Sequence, residues 1–129
     1  MQEAIKRGTE SILVAEDNES VKRLIADILT GWGYRVIGAE DGQDAVEKFA
    51  ANRDVGLLIL DSVMPRKNGR EAYDEIRRMD PNVRVIFTSG YTRDVILDKG
   101  IEDKTFDFIM KPLQRNSLLK KVREVLDRS

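Results

Sequence analysis

Apolar residues along this chain fall into two alternating patterns: short continuous runs, and stripes that recur every three or four positions. The runs are Ile12-Leu13-Val14-Ala15, Val55-Gly56-Leu57-Leu58-Ile59-Leu60, Val83-Arg84-Val85-Ile86-Phe87 and Phe108-Ile109-Met110. Runs this apolar, without a polar residue at every second place, predict strands buried on both faces of a parallel sheet. A less apolar strand is expected around Tyr34 to Gly38, and the last run extends back to Thr105. The stripes predict the helices between them. Val21, Leu24, Ile25, Ile28 and Leu29 follow the spacing of an inward helical face, with Asn18 as N-cap and Gly31 and Gly33 as the stop. Asp41-Gly42 opens a second helix with Ala45, Val46, Phe49 and Ala50 inward. Asn68 caps a third that carries Ala72, Ile76 and Met79. A weaker helix is expected over 92–99, and a last one turns Leu118, Leu119, Val122, Val125 and Leu126 inward. Trp32 is expected to pack at the end of the first helix, and Lys120, Lys121, Arg123 and Arg128 to form the solvated face of the last.

Strands alternating with helices of this length imply right-handed crossovers and a sheet covered on both faces. The fold class expected is therefore α/β: a doubly wound (βα)5 five-stranded parallel sheet in the order 2-1-3-4-5, one of the two common doubly wound orders. Residues 1–10 are polar and aperiodic and are expected to form a leader or linker, with residues 11–129 as one domain. No repeat or low-complexity tract interrupts that domain.

Four of the strands end in polar residues: Glu16-Asp17, Asp61, Thr88-Ser89 and Lys111. Ligands of open parallel sheets bind outside the carboxyl ends of the strands, and in this order the four ends are neighbours about 4.8 Å apart. Like charges ~4 Å apart cost about 1 kcal/mol in water and about 4 kcal/mol at an effective dielectric near 20. Three gathered carboxylates therefore call for a counter-cation, and hard oxygen ligands favour Mg²⁺, or Mn²⁺, over zinc. Lys111 offers a long point charge suited to phosphate, and Thr88 a hydroxyl donor. A carboxylate can serve as a covalent nucleophile that forms an aspartyl-phosphate, and Asp61 is central among the four ends.

Composition narrows the partners. The chain has 129 residues, with 22 basic against 23 acidic side chains, a balance that argues for neither nucleic acid nor a membrane surface. No apolar stretch approaches the ~20 residues that span a bilayer, and the first ten residues lack the apolar core of a signal peptide. There is no cysteine and no histidine. Disulfides and thiol chemistry are thus excluded, a reducing cytoplasm is compatible and is the expected location, and the chain cannot form a phosphohistidine of its own.

Glu16-Asp17, Asp61 with Met64-Pro65 after it, Thr88-Ser89-Gly90 and Lys111-Pro112, each closing its own strand in this order, resemble the site of a two-component response-regulator receiver domain. The match spans 11–127, and the segment Phe87 to Thr92 further resembles receivers of hybrid sensor histidine kinases. The resemblance implies a flavodoxin-like, CheY-like fold, and a signalling domain, not an enzyme with an external substrate, that catalyses its own phosphorylation and dephosphorylation. It implies that Asp61 accepts a phosphoryl group from the phosphohistidine of a sensor histidine kinase or histidine phosphotransfer domain. It also implies that Glu16, Asp17, Asp61 and the backbone carbonyl of Val63 organise Mg²⁺. Lys111 would pair with the aspartyl-phosphate, and Thr88 would turn toward it and leave room for a switch side chain at Phe108, where receivers often carry tyrosine. A contrasting reading is a pseudo-receiver that binds partners without phosphorylation. A phosphatase with an Asp-x-Asp loop is disfavoured, since Val63 stands where the second acid belongs. A flavodoxin-like cofactor binder lacks a phosphate loop after the first strand.

Overall fold

The computed structural model describes residues 5–90 and 106–128. The helix expected over 92–99 lies outside the described residues, as does Thr105. In chain order the elements are β1 (Ser11–Ala15), α1 (Glu19–Gly31), β2 (Arg35–Ala39), α2 (Gly42–Ala51), β3 (Leu57–Asp61), α3 (Gly69–Met79), β4 (Arg84–Ser89), β5 (Asp107–Met110) and α4 (Arg115–Asp127). The strands form one sheet in the order β2-β1-β3-β4-β5, every neighbouring pair parallel. The topology expected from the alternating pattern is the one observed.

The runs lack alternation because β1 and β3 lie in the middle of the sheet and every residue of both is buried. Successive side chains on a strand point to opposite faces, so each run supplies two cores. Leu13, Leu58, Leu60 and Phe87 pack with Phe49 of α2 and Ile76 of α3. Ile12, Val14, Ile59 and Ile86 pack on the other face with Ile25 and Leu29 of α1 and Leu118 and Val122 of α4. Truncating any of these to alanine would cost about 2–5 kcal/mol. The edge strands β2 and β5 are only partly buried.

Three side-chain caps start helices close behind the strand ends and keep the connecting loops short. Asn18 accepts from the amide of Val21 at 3.1 Å and Asp41 from that of Asp44 at 2.8 Å. Asn68 and Glu71 form a reciprocal capping box, each side chain 2.9 Å from the other's amide.

The helix faces differ from the stripes in detail. Leu24 stays 46% exposed, and Ala50 faces outward. A helix lying on a sheet buries a narrower arc than its apolar stripe offers, so the flanking positions remain in water. Tyr73, which the stripe of α3 omits, is buried and meets Phe87 and Phe106 edge to face at centroid distances of 6.0 and 5.6 Å. Arg123 is no solvated cation: its side chain is 12% exposed and ion-paired to Glu10 and Asp127.

Residues 5–10 lie against the domain. Trp32 donates its indole N–H toward the carbonyls of Ile5 and Lys6, both at 3.2 Å, and Arg7 donates to Gly31 O at 2.9 Å. Gly33 has φ of 104°, and a Cβ there would lie 2.3 Å from Gly8 O. Only glycine permits both that conformation and that approach.

Candidate functional site

Glu16, Asp17, Asp61, Thr88 and Lys111 meet at the carboxyl ends of β1, β3, β4 and β5. Register accounts for it. Ala15 pairs with Leu60, Asp61 with Thr88, and Ser89 with Met110, so each run delivers its terminal polar residue to the same edge. Asp61 is itself the last residue of β3, one step further into the strand than the apolar run suggests. Glu16, Asp17 and Asp61 each offer a carboxylate oxygen, all within 4.8 Å of one another. Lys111 Nζ lies 2.9 Å from Glu16 Oε2 and 3.2 Å from Asp61 Oδ2.

The surroundings set the charges against one another. Glu16 and Asp61 are almost completely buried, while Asp17 is exposed. Glu16 Oε1 accepts from the Asn18 amide at 3.1 Å, but Oε2 is buried without a hydrogen-bond donor; Lys111 stands close enough to attract it, without the alignment of a hydrogen bond. Burial, reinforced by the charge of Asp61, pushes the Glu16 carboxyl up to about 7, against the pull of Lys111. Burial opposes the charge on Lys111 too, yet Glu16 and Asp61 outweigh it and hold its pKa above the ordinary lysine value. One ammonium thus serves two buried carboxylates, with a third, that of Asp17, close by.

The segment after β3 is tied down on both sides. Ser62 directs its amide and its hydroxyl to Thr88 O at 2.9 and 2.8 Å, fastening β3 to β4 at the rim of the site. Val63 follows, its amide 3.4 Å from Asp61 Oδ1. Ser62 is a neighbour of the site that sequence reasoning missed, and its place directly after a strand-terminal aspartate was the available signal. Phe108 lies one residue before the partner of Thr88 on β5, half-buried against the core, its ring 5.9 Å from that of Phe87.

Comparison with known proteins supplies the family. The profile of the response regulator receiver domain matches residues 12–123. The chain belongs to that family. This receiver is 31% identical over 115 residues to the chemotaxis protein CheY of Thermotoga maritima, covering 88% of this chain and 95% of that protein. It is 30% identical over 122 residues to the sensor kinase CckA of Brucella abortus, covering 94% of this chain but 13% of the kinase. Among solved structures, the CheX-CheY-BeF3-Mg²⁺ complex from Borrelia burgdorferi superimposes with a TM-score of 0.80 at 29% identity, covering 92% of this chain and 90% of that one. Two-component signalling, read from four strand ends, is therefore the setting in which this receiver works. Among the described residues no helix is long and apolar enough to cross a membrane.

Proposed function

We propose that this receiver takes a phosphoryl group onto the carboxylate of Asp61 from a phosphohistidine on a sensor histidine kinase or phosphotransfer domain. The observation that carries the reading is the gathering of Glu16, Asp17 and Asp61 around one point, with the ammonium of Lys111 as the cation paired with two of them. Such a donor set, all oxygen and short of positive charge, fits a hard divalent cation. Glu16, Asp17, Asp61 and the backbone carbonyl of Val63 would hold Mg²⁺, with Mn²⁺ as a substitute. When bound, the ion would neutralise the carboxylates and draw charge from the transferred oxygens. The Borrelia complex, which carries BeF3 and Mg²⁺, supports the same pairing of ion and group here.

The chain's own residues do the rest. An oxygen of Asp61 attacks phosphorus, the histidine N–P bond breaks, and the released imidazole keeps the bond's electron pair and takes up a proton. Lys111, already 3.2 Å from Asp61 Oδ2, moves its charge onto the new phosphoryl oxygens. Thr88, paired in register with Asp61, supplies a hydroxyl from the neighbouring strand. Phe108 beside it is the switch side chain through which that movement reaches β5 and a protein partner.

The test is labelling with a small acyl phosphate. Wild type is expected to label only with Mg²⁺ or Mn²⁺ present, and Asp61→Asn to remain unlabelled. Label that stays on the Asn variant overturns the assignment of Asp61. A wild type that never labels makes the domain an unphosphorylated interaction module.

A further inference from the structure

The loop between β3 and α3, residues 62–68, carries Val63, and four anchors hold it. Two stand at its ends: Ser62 is bonded to Thr88 O, and Gly69 donates its amide to Ser62 O at 3.2 Å beside the capping box of Asn68. Met64 is a third, 8% exposed within the core. The fourth has no precedent among the strand-end residues. Arg66 adopts a left-handed backbone, φ 64°, which a residue with a side chain rarely keeps unless something outside it holds the turn.

That something is Asp41. Both Nε and Nη2 of Arg66 lie 2.7 Å from Asp41 Oδ2. Asp41 is only 6% exposed, and its other oxygen caps α2 by accepting from Asp44. The next residue on each side continues the clasp: a Cβ on Gly42 would lie 2.2 Å from Lys67 O, so only glycine lets the loop sit this close to the start of α2. Two consecutive residues of the β3–α3 loop are therefore seated on two consecutive residues of the β2–α2 junction. Arg66 pairs with Asp41 and, at 3.9 Å, with Glu40, whereas the cation paired with Glu16 and Asp61 is Lys111.

We propose that the Arg66–Asp41 clasp is the positioning device that holds Val63 for the divalent cation, so that Arg66 tunes cation affinity without touching the cation. The proposal rests on the reading of the acidic site as a Mg²⁺ site. It makes an unusual demand on sign. Arg66 is a cation three residues along the loop from Val63, so Coulomb repulsion alone predicts that removing it tightens binding. Loss of a positioning contact predicts the reverse, because ligands held by outer partners lose affinity when those partners go, typically by 10–100-fold.

Binding of Mn²⁺ to the full chain, followed by the electron paramagnetic resonance of free Mn²⁺, separates the two. Arg66→Ala is expected to weaken Mn²⁺ about tenfold, and Arg66→Lys, which keeps the charge but not the fork, to recover only part. Asp41→Asn is expected to weaken it as well, and the double variant to bind no worse than the weaker single one. In acyl-phosphate labelling the half-saturating Mg²⁺ concentration should rise with Arg66→Ala while the rate at saturating Mg²⁺ stays near wild type. A merely structural role would lower stability and leave that half-saturation point alone. An Arg66→Ala protein that binds Mn²⁺ as tightly as wild type, or more tightly, overturns the proposal. If Arg66→Ala does not fold, Arg66→Lys decides the question in the same way at smaller amplitude. A wild type that takes up no Mn²⁺ overturns instead the reading on which the proposal stands.

Discussion

Two ion clusters sit at opposite ends of β1, and they are built from the same parts to opposite effect. Before the strand, the guanidinium of Arg123 is shared by Glu10 and Asp127. Its nitrogens lie 2.6 and 3.2 Å from the two Glu10 oxygens, 2.8 and 3.0 Å from those of Asp127, and 3.3 Å from the Tyr34 hydroxyl. After the strand, Glu16 and Asp61 share the single ammonium of Lys111, with the carboxylate of Asp17 close by. In the first cluster the bond from Arg123 holds the Glu10 carboxyl down to about 2. In the second, burial pushes the Glu16 carboxyl up to about 7. The Arg123 cluster is closed: its cation is forked and its acids are satisfied. The Lys111 cluster sets three carboxylates, two of them buried, against one ammonium, a larger excess of negative charge than the two acids that share Arg123. A fold selected for stability alone would have no reason to bury such a group, whereas a site that must admit a metal and a phosphoryl group has to keep that imbalance.

The contrast predicts opposite signs for charge removal. Arg123→Ala, which strips several bonds from a mostly buried guanidinium, should destabilise by about 2–3 kcal/mol in urea unfolding. A loss under ~0.5 kcal/mol would mean that the cluster is ordinary surface. Glu16→Gln, measured near pH 8 without divalent cations, should instead stabilise by about 1–2 kcal/mol, because a carboxyl raised to about 7 by burial is ionised there at a cost, while Lys111 keeps Asp61 as its partner. Saturating Mg²⁺ should then reverse the order of the two proteins, since wild type gains about 3 kcal/mol at ~100 times its Kd and the variant less. If Glu16→Gln destabilises the metal-free protein, the two clusters are alike and the contrast fails.

The two clusters were also unequally legible in the sequence. The acidic site could be read because a parallel sheet converts position along a strand into position in space. Knowing that Asp61, Thr88 and Lys111 each close a run is enough to bring them together, and the register does so. The Arg123 cluster could not be read. Glu10 belongs to a polar segment without period, and Arg123 occupies a helical position whose spacing suits a solvated face as well as a buried pair. The same holds for Trp32 over Ile5 and Lys6, and for Arg66 against Asp41. A contact with one partner in an irregular segment leaves no periodicity there to mark it, so only the fold reveals it. Leu24 shows the converse, a residue in perfect helical step that the sheet does not cover.

The smallest effect expected sharpens the contrast most, since it isolates one carboxylate. The folded-state pKa of Glu10, about 2, lies below its ordinary 4.5. As pH falls below 4.5 the unfolded chain therefore binds the proton first, and the pair's contribution, complete above that pH, drains away toward pH 2. Glu10→Gln lacks the contribution at every pH. Its side chain is 37% exposed, so solvent screening limits the difference from wild type to a few tenths up to about 1 kcal/mol near pH 7. Urea midpoints taken from about pH 7 downward should show the two proteins converging as the acid limit is approached, and ~0.5 M salt should narrow the gap at neutral pH. A gap that keeps its full size near pH 2 would show that Glu10 works through packing and not through charge. The cluster before β1 would then no longer be the satisfied counterpart of the one that follows it.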